Sequence, residues 1–170
     1  MIKNNILIGI LIGLVIFSCS SNDDNGNLAN GNQNGFNFNG NFYSTQNAFV
    51  DDEPDYISIN LSNINPYQPT QTTGINFVNI EFLGTSIETG TITDITNYRI
   101  VENAEYLDDS FIALGTTIIN RIQDGFTITS GTVTINFISE TNIDFTFTFT
   151  REDGEIVNGS YSGVYTNTSE

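Results

Sequence analysis

The sequence predicts an all-β domain, an antiparallel β-sandwich or flattened barrel of about eight to ten strands. Apolar and polar residues alternate with a period of two from Gly35 onward, the pattern of strands that bury one face and wet the other. Gly, Asn and Asp interrupt that alternation at short intervals, and no stretch after Cys19 places apolar residues at helical spacing. A lipocalin-like up-and-down barrel is the alternative, because consecutive hairpins build either architecture.

Phe36, Phe38 and Phe42 alternate with Asn37, Asn39 and Asn41 and read as one strand interrupted at Gly40. Ile57, Ile59 and Leu61 alternate with Ser58, Asn60 and Ser62. The run from Ile75 to Leu83 is apolar enough to pack on both sides. The segments 92–101 and 111–122 supply further strand material with less regular phase. The clearest pattern lies in the last third. There Val133, Ile135 and Phe137 form one alternating set, and Ile143, Phe145, Phe147 and Phe149 form the next. Glu140-Thr141-Asn142 fits a turn between them, and Asp153-Gly154 is a pair favoured in tight hairpins. Val157, Gly159, Tyr161, Gly163 and Tyr165 share one face of a closing strand, so three strands form a meander. Glycine there lets the strand bend or another group come close.

The chain opens differently. Lys3 precedes an apolar run from Ile6 to Phe17, which stops at Ser18-Cys19, the layout of a charged region followed by the hydrophobic core of a signal peptide. Roughly 20 apolar residues are needed to span a bilayer, so this shorter run predicts a leader. Ile16-Phe17-Ser18-Cys19 resembles the lipobox of bacterial lipoproteins. That resemblance implies cleavage after residue 18, a thioether-linked diacylglycerol on Cys19 and acylation of the new amino group. Two or more chains make a stable anchor, since each buried methylene contributes about 0.8 kcal/mol. Ser20-Ser21-Asn22-Asp23-Asp24 then resembles the acidic export tag that follows the lipidated cysteine in surface lipoproteins of Bacteroidetes-type bacteria. The resemblance implies an outer-membrane, cell-surface location, with the periplasmic face as the alternative. Residues 20–35 are almost free of apolar side chains and cannot offset the entropy of ordering, so 19–35 reads as a tether with a reach of about 20–25 Å. The expected organisation is a leader over 1–18, the lipidated tether over 19–35 and the β domain over 36–170. The β domain also looks broadly like small all-β lipoproteins of the same bacteria, through Ser130-Gly131-Thr132-Val133-Thr134-Ile135 and the stretch from Asp153-Gly154 to Gly163. That likeness implies no active site.

Charge and residue usage narrow the chemistry. All 20 acidic residues follow Cys19, where Arg99, Arg121 and Arg151 are the only cations. Such a field repels phosphate backbones, which disfavours nucleic acid as a partner. The chain has no His and one Cys, so Ser-His-Asp and Cys-His catalysis and the usual zinc sites lack their ligands. Removal of Lys3 with the leader leaves no lysine for a Schiff base. No disulfide can form within the chain, and the domain must rely on its core.

The acidic run Asp51, Asp52, Glu53 and Asp55 offers oxygen ligands of the kind calcium takes, although its spacing fits no EF-hand loop. A second acidic cluster runs from Glu105 to Asp109. Tyr56, Tyr67, Tyr98, Tyr106, Tyr161 and Tyr165 are candidate stacking surfaces, but strand tyrosines more often pack at the core edge with the hydroxyl outward. The first functional expectation is a non-catalytic envelope-interaction module that binds a glycan, a peptide or an envelope protein. A carrier of a small apolar ligand and a glycoside hydrolase using only carboxylates are the alternatives. The hydrolase would need two acids roughly 5–9.5 Å apart across a cleft.

Overall fold

The computed structural model describes residues 33–107, 111–122 and 125–169. Cys19, Ser20, Ser21, Asn22, Asp23 and Asp24 lie outside the described residues, as do Asp108 and Asp109 of the second acidic cluster. The described chain is all-β. Its strands are β1 (Gly35–Phe38), β2 (Asn41–Ser44), β3 (Asn47–Glu53), β4 (Tyr56–Ser62), β5 (Thr73–Phe82), β6 (Gly90–Ile92), β7 (Ile95–Leu107), β8 (Phe111–Ala113), β9 (Thr116–Asn120), β10 (Ile128–Ile138), β11 (Asn142–Arg151) and β12 (Ile156–Asn167).

Twelve strands replace the expected eight to ten because stretches read as single runs break into short elements, as in β1–β2 and β8–β9. The first of these breaks is at Asn39-Gly40. Both residues take positive φ, 49° and 75°, so the stretch read as one strand folds into the hairpin β1–β2. Asn-Gly is the pair that favours such a turn. Its register sets Phe36 opposite Tyr43 and Asn37 opposite Phe42. Phe36 and Tyr43 stack at 4.9 Å toward the core, while Phe42 comes to lie on the outer face with Asn37.

The strands follow the order β6-β10-β11-β12-β3-β4-β5-β7-β8, with β1 and β2 attached to β12 and β9 to β7. Among the described residues the path does not close, so the fold is an open sheet folded over on itself as a sandwich or flattened barrel, and not the up-and-down barrel. The three-stranded meander β10–β11–β12 is present with the expected turns: Gly154 N–H donates to Arg151 O at 3.0 Å, and Ser139 N–H donates to Asn142 O at 2.9 Å.

One departure from the expected antiparallel arrangement organises the molecule. The first part of β12 pairs with β11 and β1, but its end pairs in parallel with β3, Tyr165 facing Ala48 and Asn167 facing Val50. The last strand therefore belongs to both layers and changes partner around Gly163. The segment after it is strapped down as well, since Thr168 N–H donates to Val50 O at 2.8 Å and Asp52 N–H donates to Ser169 Oγ at 2.7 Å.

The core lies between the layers. Ile57, Ile59, Leu61, Val78, Ile80 and Ile100 from one side meet Phe36, Val133, Ile135, Phe145, Phe147 and Phe149 from the other, all buried. Each such side chain contributes about 1.5–3 kcal/mol relative to exposure. Alternation explains β5, where Val78, Ile80 and Phe82 enter this core while Ile75 and Phe77 join a second cluster with Ile64, Val101 and Ala104. The run read as packing on both sides does so.

The first described strand begins one residue before the expected boundary at Phe36. Gly35 opens β1, and the Asn34 carboxamide exchanges two hydrogen bonds with the Ser162 backbone.

Candidate functional site

Because β12 leaves one layer for the other, the sheet splits beside its residues 161–164. β1 ends its pairing at Ser160 and β3 begins at Tyr165, so a gap opens between them. Asn34 fills the backbone part of that gap. Ser162 N–H donates to Asn34 Oδ1 at 2.9 Å, and Asn34 Nδ2 donates to Ser162 O at 3.2 Å, as a neighbouring strand would do. What remains is a trough formed by two adjoining hollows of about 730 and 410 Å³, which share Asn34 and Gln46.

The larger hollow is lined by Gln33, Phe42, Ser44, Gln46, Asp144 and Ser162 in addition to Asn34. The smaller one runs on past Asn47, Asn65, Tyr161 and Thr166. Carboxamides and hydroxyls dominate, Asp144 supplies the one carboxylate, and no cation is among these lining residues. Tyr161 forms part of the floor. Burial pushes its phenol up from the ordinary value, so it stays protonated and donates to Val164 O at 2.6 Å. Asp144 Oδ1 accepts from Asn136 Nδ2 at 2.7 Å, which fixes the carboxylate on the outer face.

Phe42 is the exposed ring of the trough, 42% accessible. Its position depends on Gly35, where a Cβ would come within 2.9 Å of Phe42 Cε2. One side of the ring thus rests against bare backbone. Sequence alternation placed Phe42 with the core phenylalanines, and the Asn39-Gly40 pair was the signal that would have moved it to the outer face.

The other candidates fall elsewhere. Asp51, Asp52 and Glu53 are consecutive on β3, opposite Ser58, Ile57 and Tyr56, so strand alternation sends Asp52 away from its two neighbours. Asp55 belongs to the turn that follows. Among the described residues no three acids converge in a group able to hold a metal ion. Asp51 instead accepts the Tyr56 hydroxyl at 3.1 Å, and that hydrogen bond raises the phenol's pKa.

The tyrosines form no common platform. Tyr98 and Tyr161 are buried; Tyr98 OH accepts from Ile128 N–H at 3.1 Å. Tyr106 and Tyr165 donate to Pro66 O and Ser139 O, both at 3.0 Å. Of the exposed pair, Tyr56 opens β4, while Tyr67 lies in the loop beyond that strand and covers Phe49 edge-on.

Arg151 has a structural role. Its guanidinium lies 3.5 Å from the Phe126 ring centroid and 5.0 Å from that of Phe38, and it forms an ion pair with Asp153. Arg99, on β7, has its Nε buried without a hydrogen-bond partner and is not among the residues lining the trough.

Fold and site together define an open all-β domain with a polar trough where β12 changes partner. No protein-family model, curated protein or solved structure matches the chain, so the reading of the trough rests on its own chemistry.

Proposed function

We propose that this chain is a lipid-anchored envelope lipoprotein whose β domain acts as a non-catalytic binding module, with the trough at the β12 seam as its recognition surface. The observation that carries the reading is a concave surface of carboxamides and hydroxyls beside one exposed ring. Such a lining offers donors and acceptors to a ligand without an activated nucleophile or a paired acid and base. A tether of the expected reach would hold this surface close to the membrane and leave it free to turn toward an envelope polymer or protein. Lipidation at Cys19 and the acidic tag over Ser20–Asp24 supply the anchor and the outer-membrane, cell-surface address.

The two alternatives find less support. Phe145, Phe147 and Phe149 lie along β11 at centroid separations of 6.3 and 5.7 Å, tilted against one another, and are buried, which counts against an open apolar cavity on that face. A carboxylate-only hydrolase needs two acids across its cleft, and the described lining of the trough offers Asp144 alone.

The test is retention of isolated envelope fractions by the immobilised full chain. Retention should be lost in the double variant Phe42→Ala/Gln46→Ala, with the thermal unfolding midpoint unchanged. Equal retention by both proteins would remove the trough from the account. Failure of the wild-type chain to retain any cell-wall, glycan or membrane fraction would remove the module itself.

A further inference from the structure

We infer that the ligand of the trough is a neutral saccharide chain, seated on the Phe42 ring and held by Gln46, Ser44, Ser162 and Asp144. This rests on the reading of the trough as a binding surface and adds the chemical class of what it binds.

Three observations separate a saccharide from the other partners of a polar surface. The first concerns the backbone. A peptide recognised by strand addition needs free N–H and C=O groups along a strand edge. At this seam those of Ser162 are already satisfied by the Asn34 carboxamide, and Gln33 O accepts the Ser160 hydroxyl at 3.1 Å. The β12 edge at this seam is thus closed to strand addition at Ser162.

The second concerns charge. A chain with 20 acids and four basic residues repels anionic polymers, and the trough adds Asp144 without any cation. Uronates and nucleic acids are therefore disfavoured, and a neutral ligand meets no such barrier. Asp144 keeps one oxygen bound to Asn136, so its second can accept a ligand hydroxyl in a charge-assisted hydrogen bond.

The third concerns the ring. Phe42 rests on the backbone at Gly35 and stays 42% exposed, which leaves an apolar surface beside the polar groups. A sugar ring has the matching character, C–H groups across its faces and hydroxyls around its rim. The Gln46 carboxamide is exposed and its side chain has no hydrogen-bond partner among the described residues, so it can both donate to and accept from those hydroxyls.

Isothermal titration of the full chain, solubilised in a non-ionic detergent without a sugar headgroup, tests the inference. The probes are maltohexaose, cellohexaose and fully N-acetylated chitohexaose as neutral chains, tetragalacturonate as the anionic control and an end-capped, uncharged Gly-Ser hexapeptide as the peptide control. At least one neutral hexasaccharide should bind, with Phe42→Ala weakening it roughly tenfold or more, a loss of about 1.4 kcal/mol. Asp144→Asn should weaken it by a smaller factor. Tetragalacturonate and the hexapeptide should give no heat of binding. Absence of binding by all three neutral chains, preference for either control, or unchanged affinity in Phe42→Ala would overturn the saccharide. If the envelope fraction is still retained through Phe42 and Gln46 while every neutral chain fails, the saccharide falls and the binding module stands.

Discussion

Replacing Arg151 with methionine tests how the open end of the sandwich is held. Arg151 ends β11 and is 6% exposed; its guanidinium sits over Phe126, which leads into β10, and near Phe38 of β1. Thr127 reinforces the same corner, since Glu152 N–H donates to Thr127 O at 2.9 Å and Thr127 Oγ1 donates to Glu152 at 2.7 Å. A cation held over an aromatic face away from water contributes about 2 kcal/mol. The Asp153 partner is exposed to solvent, so the ion pair adds little beside this. Methionine keeps an apolar stem of similar length and loses both electrostatic contributions, for an expected destabilisation of about 2 kcal/mol. For a domain of this size each kcal/mol lowers the melting temperature by roughly 4 °C. Thermal unfolding followed by circular dichroism should therefore show a fall of about 8 °C for Arg151→Met. Arg121→Met, at an exposed bend, should stay within about 0.5 kcal/mol of wild type. A melting temperature for Arg151→Met indistinguishable from wild type would refute the argument that this cation pins the two rings together.

The same corner predicts a pH dependence. Partial desolvation works to raise the Asp153 carboxyl, but hydrogen bonds from Arg151 and the Glu155 backbone, with the Arg151 charge, hold it below the usual carboxylate value. A depressed folded pKa gives stability that is present above the unfolded pKa and lost as pH falls through the folded one. Asp153→Asn should thus be less stable than wild type at neutral pH, and the gap should narrow on acidification below the ordinary Asp range; a gap that widens would reverse the sign. At the seam, Gly159→Ala places a Cβ 2.6 Å from Gly35 O and against the Phe147 ring, and should cost about 1–3 kcal/mol in chemical denaturation. An unchanged midpoint would show that β1 does not pack there as closely as described. For the anchor, Cys19→Ala should release the protein from the membrane fraction and abolish labelling by radioactive fatty acid; a membrane-bound variant beside an unlabelled wild type would remove the lipid.

Much of the fold was legible because strand alternation records burial directly. Phe145, Phe147 and Phe149 carry one face of β11 into the core, and the Asp153-Gly154 turn returns β12 against it as the residues imply. The two-sided run at Ile75 also behaved as its composition suggests, since both faces of β5 find apolar neighbours. Phe42 shows where alternation misleads. Its phase matches Phe36 and Phe38 along the chain, but the turn at Asn39-Gly40 reverses the chain direction and sets it opposite Asn37. A period of two carries information within one strand and none across a turn.

The amino-acid sequence by itself determined the all-β class, the C-terminal meander, the absence of imidazole and thiol chemistry from the β domain, and the acidic field around it. Each follows from residue type or from neighbours a few positions apart. Only the tertiary structure decided that β12 would pass from one layer to the other, that its end would run parallel to β3, and that Asn34 would close the backbone of the resulting seam. Those pairings join residues more than a hundred positions apart, and no local pattern encodes a partner at that distance. The trough exists because two strands contact the same third strand at different heights, a geometric fact that arises once the whole chain has folded.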